Sequence, residues 1–447
     1  MQLGVQKNEL TEVGSYFVAN YPPFSAWQGA HIPSFFGALD ESRAKAPAPL
    51  GLYLHIPFCR KRCKFCYFRV YTDKNSSDVD TYLTALAREA ELYADRAALE
   101  GREFDFVYFG GGTPSFLSSE QLERLIDRIS DHWKWEHARE VTFECEPGTL
   151  KKSKLKTIKS IGTTRLSLGI EHFDDDVLAI GGRAHRSPEV VEAYDWAREV
   201  GFPQINIDLI AGMVGDTEDK WKKTVDKALA FDADSVTIYQ MEVPHNTEIA
   251  RTARHEGTEA RRHEGIATPV AGWATKRWWV DYAFRAFEKA GYVVSSGYTL
   301  YKPGNHSGFV YRDALWHGAD LIGTGVASFG HLAGVHYQNV DSWEEYVGSL
   351  ERGELPVGRA YPTTPRQRLI REMILQLKLG RLDAGYFRTK FNEQIADRFA
   401  GAWDSLKDDG LLSVHGNEVL LNRAGLLRVD SLLPRFFEPQ FQNVRYT

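Results

Sequence analysis

The chain has 447 residues, carries a net charge of -6, and is 43% hydrophobic, 26% charged and 13% aromatic. That length exceeds one small core, the composition is that of an ordinary folded chain, and the acidic balance excludes a general binder of nucleic acid or membrane surfaces. No stretch reaches the roughly 18 apolar residues that a membrane-spanning helix needs, and the N-terminus lacks a basic segment followed by an apolar run.

Residues 1–49, rich in aromatic, Pro and Ala residues, are predicted to be an N-terminal extension lying against the main folded unit. From residue 50 short β-rich runs alternate with helical stretches. The predicted strands are "GLYLHI" (51–56), "FDFVYFG" (104–110), "EVTFECE" (140–146), "TRLSLGI" (164–170), "QINIDLI" (204–210) and "SVTIYQM" (235–241). Between them lie segments such as "DVDTYLTALAREAELYADRA" and "SSEQLERLIDRISDHW", with apolar residues at helical spacing. Alternation of β and α implies parallel strands joined by helical crossovers. Six units over residues 50–250 predict an α/β fold, a partial (β/α)6 barrel. Residues 251–355 read as a helical and turn-rich cap. Residues 356–447, with helices at about 364–378 and 393–408 and a hairpin in "GLLSVHGNEVLL", read as a small winged-helix-like domain.

Three of the four cysteines, Cys59, Cys63 and Cys66, fall within eight positions after the first predicted strand. Clustered thiols without a wider cysteine framework point to a metal in a reducing compartment, and the chain is read as cytoplasmic. A tetrahedral zinc needs four ligands, and no fourth cysteine lies nearby. His55 is a candidate fourth, at a strand end where its ring can point elsewhere. Three thiolates suit a [4Fe-4S] cube that leaves one iron open, with a structural zinc loop as the alternative.

"YLHIPFCRKRCKFCYF" resembles the cluster loop of the radical S-adenosylmethionine (SAM) superfamily, and more specifically that of the oxygen-independent coproporphyrinogen III oxidase family and its relatives. The resemblance runs from about residue 50 to the C-terminus. It implies that Cys59, Cys63 and Cys66 hold a [4Fe-4S] cluster whose open iron is chelated by SAM. Reduction then cleaves SAM to methionine and a 5′-deoxyadenosyl radical. Tyr53, His55 and Phe65 match positions near the cluster and SAM. Gly111, Gly112 and Thr113 of "GGGTPS" match the segment that meets the methionyl amino group, and Glu144 of "FECEP" matches an acidic SAM contact. Glu171 stands where the family usually has glutamine, and Arg183 matches an arginine expected to grip a SAM carboxylate. Asp208 matches a ribose-binding aspartate, and Met241 a position whose backbone approaches the adenine. Tyr53, His55 and Glu171 are taken as catalytic. Glu146 is open between a site residue and a solvated strand end, while Glu242 and His245 carry no transferable role.

Three branches of that family compete. The oxidase decarboxylates propionates and typically carries a further cysteine two after the third, where this chain has Phe68. Haem chaperones keep the barrel and cluster, but His172, His185, His317 and His331 read better as satisfied polar residues than as axial ligands. The sequence is read as most like the third branch, the class C radical SAM methyltransferases and cyclopropanases. These are thought to bind two SAM molecules and to move a methyl or methylene group to an sp² carbon. The implied partners are a small-molecule substrate, a flat aromatic one among the candidates, and a reductant such as flavodoxin or ferredoxin, with no nucleic acid and no membrane. Basic residues of "RRHEG" (261–265) and "ATKRWWVDYAFR" (274–285) read as charged helix faces. Trp278, Trp279 and Tyr282 read as core in preference to a substrate wall.

Overall fold

The computed structural model describes residues 17–43, 48–244, 247–249, 270–304, 308–442 and 444. His245 and residues 261–265 lie outside the described residues.

The six predicted strands form, with ends within two residues of expectation: β1 (Leu50–Ile56), β2 (Phe106–Gly111), β3 (Glu140–Cys145), β4 (Arg165–Glu171), β5 (Gln204–Ala211) and β6 (Ser235–Gln240). They pair in parallel and in order. The connecting helices start where short polar side chains meet the free N–H groups. Asn75 accepts from Ser77 and Asp78 at the start of Ser76–Ala94, and Ser118 and Gln121 make a reciprocal capping box before Ser119–Ser130. Strand alternation does the sorting. Leu166, Leu168 and Ile170 of β4 join the main core, whereas Arg165, Ser167, Gly169 and Glu171 face the barrel interior.

The sheet extends beyond those six. Added strands are β7 (Val293–Val294), β8 (Thr299–Tyr301), β9 (Asp320–Thr324), β10 (Phe329–Leu332), β11 (Val335–Asn339) and β12 (Val357–Pro362). The order is β12-β11-β10-β9-β1-β2-β3-β4-β5-β6-β8-β7, with β9 parallel to β1 and the other additions antiparallel. The segment read as turn-rich therefore holds strands. Its glycines hid them, because they break the period-2 pattern while serving close approach. A Cβ on Gly323 would come within 2.0 Å of the Phe329 carbonyl oxygen, and one on Gly330 within 2.2 Å of the Tyr337 ring.

The C-terminal part contains helix Pro365–Leu377, a further helix Ala384–Phe391, and a three-stranded antiparallel sheet of β13 (Arg381–Asp383), β14 (Leu412–His415) and β15 (Glu418–Leu421). The expected helix at 393–408 is broken into Ile395–Arg398 and Ala400–Asp408. These elements have their own core, with Ile370, Met373, Phe387 and Trp403. Val18 and Tyr21 enter that same core, while Phe35 and Leu39 of helix Ile32–Asp40 pack on the main sheet. The N-terminal segment thus touches both parts.

Glu89, fully buried on helix Ser76–Ala94, ties three elements together. Its carboxylate accepts from Gly325 N–H at 2.8 Å, Asn339 Nδ2 at 2.7 Å and Tyr346 Oη at 2.6 Å. Removing the acceptor strands three buried donors, so Glu89→Ala is expected to cost about 3 kcal/mol or more. The urea midpoint at unchanged slope measures it, and a loss under about 1 kcal/mol would refute this role.

Candidate functional site

A cavity of about 420 Å³ opens at the C-terminal ends of the parallel strands and runs into the barrel. Cys59, Cys63, Phe65 and Cys66 form its wall on one side, from the loop after β1. That loop is held by main-chain bonds: Tyr71 N–H donates to Pro57 O, Cys59 N–H to Tyr71 O, Cys66 N–H to Cys63 O, and Lys64 N–H to Gly181 O. Two side chains hydrogen-bond to the sulfurs. Arg183 Nη1 lies 3.2 Å from Cys63 Sγ, and Thr113 Oγ1 lies 3.3 Å from Cys59 Sγ. Burial pushes the Cys59 thiol up to about 12, with the Thr113 hydrogen bond opposing. Among the described residues no three His, Cys, Asp or Glu side chains converge tightly enough for a single metal ion. The three thiols nonetheless share one cavity wall, the arrangement that three ligands of a single cluster require.

The expected carboxylates gather on the same cavity. Glu144, at the end of β3, accepts from Tyr108 Oη at 2.6 Å and Gly111 N–H at 3.3 Å. Burial pushes its carboxyl up to about 7. Asp208 accepts from Ser167 Oγ at 2.8 Å and Asn206 Nδ2 at 2.9 Å, and burial raises it too. Glu171 sits at a bulge between β4 and β5 with a φ of 67°, a left-handed backbone that non-glycine residues rarely adopt. Its carboxylate lies 3.6 Å from Arg183, and burial pushes it up to about 7. Arg183 also donates to Gly169 O at 2.7 Å. Met241 lines the cavity, with its N–H given to Ala211 O and its carbonyl taken by Lys276 Nζ at 2.7 Å.

Gly111, Gly112 and Thr113 reach the cavity as well. Gly112 has no room for a side chain, because a Cβ would fall 2.8 Å from Pro57 C and 3.0 Å from both Ile56 O and Phe58 N. Tyr53 and His55 do not line the cavity. Tyr53 stacks on Tyr108, and buried His55 lies beneath Gly111, with its Nδ1 3.4 Å from Tyr53 Oη. Burial pulls the His55 imidazole down to about 4.

Three features were not legible in the linear pattern. Glu146 is buried, accepting from Arg60 at 3.0–3.2 Å and from His185 Nδ1 at 2.8 Å, so it is not a solvated strand end. Phe17 closes one side of the cavity and gives its N–H to Glu242 at 2.5 Å. Arg165 lies inside the barrel, although it opens a strand that reads as apolar. The expected histidines are satisfied elsewhere: His172 by Asp216 and the Asp174 N–H, His185 by Glu146, His317 by the Asp313 carbonyl, and His331 by His336. Trp279 is core, while Trp278 is exposed and stacked on Tyr282; none of the three lines the cavity.

Comparison with known proteins agrees with this geometry. The radical SAM superfamily pattern matches residues 53–228. A haem chaperone HemW from Mycobacterium tuberculosis is 32% identical over 387 residues, covering 86% of this chain and 94% of that protein. The chain belongs to the radical SAM family of coproporphyrinogen III oxidases and haem chaperones. An oxygen-independent coproporphyrinogen III oxidase from Synechocystis is 26% identical over 443 residues, covering 95% of this chain and 92% of the relative. The coproporphyrinogen III oxidase HemN of Escherichia coli has the same fold, with a TM-score of 0.79 at 23% identity, covering 94% and 96% of the two chains. The cofactors are those of the superfamily, a [4Fe-4S] cluster and SAM. These matches correct one expectation. The relatives that align along nearly the whole chain are chaperones and oxidases, so the class C methyltransferase or cyclopropanase reading falls. It had rested on the short stretches around Cys66 and Met241, too little sequence to separate branches that share a barrel. Among the described residues no helix is long and apolar enough to cross a membrane.

The site yields two expected outcomes. Gly112→Ala pushes against backbone at the root of the cysteine loop, so reconstituted protein should bind less than half the wild-type iron and sulfide with little change in far-UV circular dichroism. Iron content equal to wild type would show that the loop root yields. Glu144 has a folded pKa above its ordinary 4.5, so its contribution to stability is full below that value and is lost as pH rises through about 7. Glu144→Gln removes the loss. Without SAM, the variant should gain melting temperature over wild type between about pH 5 and about pH 8, and a gap independent of pH would contradict the assignment.

Proposed function

We propose that this protein is a tetrapyrrole-directed radical SAM enzyme that acts on the propionate side chains of a coproporphyrinogen-type substrate without oxygen. One observation carries the reading. The three thiols and the half-buried polar groups Glu144, Glu171, Arg183 and Asp208 line a single cavity at the C-terminal end of the parallel strands, the end where barrels of this kind do their chemistry. Such an arrangement serves a reaction kept from water better than it serves surface docking.

In this reading Cys59, Cys63 and Cys66 hold the cluster. Arg183 and Thr113 donate to two of the sulfurs, offset their negative charge and fix their orientation. Glu144 takes the SAM ammonium beside Gly111 and Gly112, Asp208 takes the ribose, and Arg183 faces the SAM carboxylate. Glu171, held off its strand line by the bulge, orients Arg183 through their 3.6 Å pair. Phe65 and Met241 supply apolar cover over the cavity. When bound, cluster and SAM together supply one-electron cleavage of the sulfonium and abstraction of a hydrogen atom from the substrate.

A second reading, a haem chaperone, is favoured by two observations: the 32% identity to the mycobacterial chaperone, and Phe68, exposed and packed against Tyr67 with ring centroids 4.6 Å apart, in place of a further cysteine. Both readings are tested on anaerobically reconstituted, reduced protein given SAM with coproporphyrinogen III, and separately with haem. A decarboxylated product formed with an equivalent of 5′-deoxyadenosine for each lost carboxylate is the expected result. No product, with a stoichiometric Soret shift on adding haem, moves the assignment to the chaperone. Neither response overturns both.

A further inference from the structure

Arg165 opens β4 on the face that lines the barrel, and it is only 1% exposed. Its guanidinium lies over the Phe309 ring, 4.0 Å from the centroid. Its Nε is buried without a partner, and among the described residues its terminal nitrogens make no hydrogen bond or ion pair. Two carboxyls that its charge reaches are engaged by others: Glu144 by Tyr108 and Gly111, Asp208 by Ser167 and Asn206. Arg165 is close enough for its charge to oppose the rise that burial causes in both.

An arginine in this state is costly. Its five donors form a planar fork suited to a carboxylate, and a buried cation without such a partner forfeits its hydration. Other buried arginines of this chain show the contrast: Arg371 donates to Asn20 Oδ1 at 2.7 Å, and Arg102 pairs with Asp320 at 2.9 Å. Arg165 instead lines a cavity large enough for a ligand group.

We propose that Arg165 is an anion anchor inside the barrel, taking one carboxylate of the substrate in a bidentate pair beside Phe309. Naming that carboxylate a propionate arm rests on the tetrapyrrole reading, whereas the anion site itself does not. The competing role is an internal counter-ion for Glu144 and Asp208. An anchor, when removed, costs the fold its anion binding. A residue that is a counter-ion alone, when removed, costs stability as those carboxyls ionise and leaves anion binding unchanged.

The test uses cluster-loaded protein saturated with SAM, so that the carboxylate of SAM is already accommodated. Sodium propionate, against equal sodium chloride and against neutral propionamide, is expected to raise the wild-type melting temperature, with no rise in Arg165→Met. Without propionate, Arg165→Met is expected to keep the cluster absorbance. Coproporphyrin III binding, followed by tryptophan quenching, is expected to weaken tenfold or more in Arg165→Met and less in Arg165→Lys. Equal propionate responses in wild type and Arg165→Met would overturn the proposal. A propionate response lost in Arg165→Met, with a wild type that ignores coproporphyrin III, would keep the anchor and remove the tetrapyrrole reading.

Discussion

The Glu146 carboxylate accepts from Arg60 on one side and from His185 on the other, and the loop that carries the three cysteines is fixed through that pair. Arg60 follows Cys59 directly, so the first thiol can move only as far as this contact allows. His185 donates from the stretch that also brings Arg183 to the Cys63 sulfur. Ser115 Oγ accepts the Glu146 N–H, which joins the "GGGTPS" turn to the same point. Three segments far apart in sequence thus meet at one buried carboxylate. Burial would raise that carboxyl, but His185, Arg183 and Arg60 together hold it below its ordinary value. The charge stays, and with it the anchor.

Around this anchor the barrel keeps an unusual interior. Most protein cores are apolar, yet here the inward positions of β3 to β6 carry Glu144, Arg165, Ser167, Asn206, Asp208 and Thr237. Asn206 shows how such a layer survives burial: it donates to Ser167 and Asp208 and accepts from Ser235 and Thr237. Each polar atom so satisfied costs little, and the whole set fixes side-chain positions closely. Glu171 and Arg165 are the exceptions, one in backbone geometry and one in partners. Departures from local rules are expected where ligand chemistry is placed.

The periphery closes the cavity with pieces drawn from both chain ends. Lys378, fully buried, donates to Val18 O at 2.8 Å and pairs with Asp430 at 2.9 Å, with Phe17 against its ammonium at 3.5 Å. Phe17 in turn caps Glu242 at the cavity. The C-terminal elements therefore act on the site by holding the N-terminal segment in place.

The sequence by itself determined the parallel strands β1 to β6, the helices between them and the cysteine loop. These features are local: alternation of β-branched and aromatic runs with amphipathic stretches, and thiols spaced within one loop, both survive in a one-dimensional pattern. Glu144, Asp208 and Arg183 were singled out through the family resemblance, and the fold brings all three to one cavity. Tertiary structure alone decided the rest. The strands β9 to β12 are short and broken by glycines whose reason is a neighbour's backbone or ring. The bulge that turns Glu171 toward Arg183 is a mismatch between two strands, visible from neither. Glu146, His185 and Arg60 meet only when β3, the segment after β4 and the cysteine loop are brought together. Arg165 looks from sequence like any strand-edge cation; only the closed barrel shows it buried without a hydrogen-bond or ion-pair partner among the described residues.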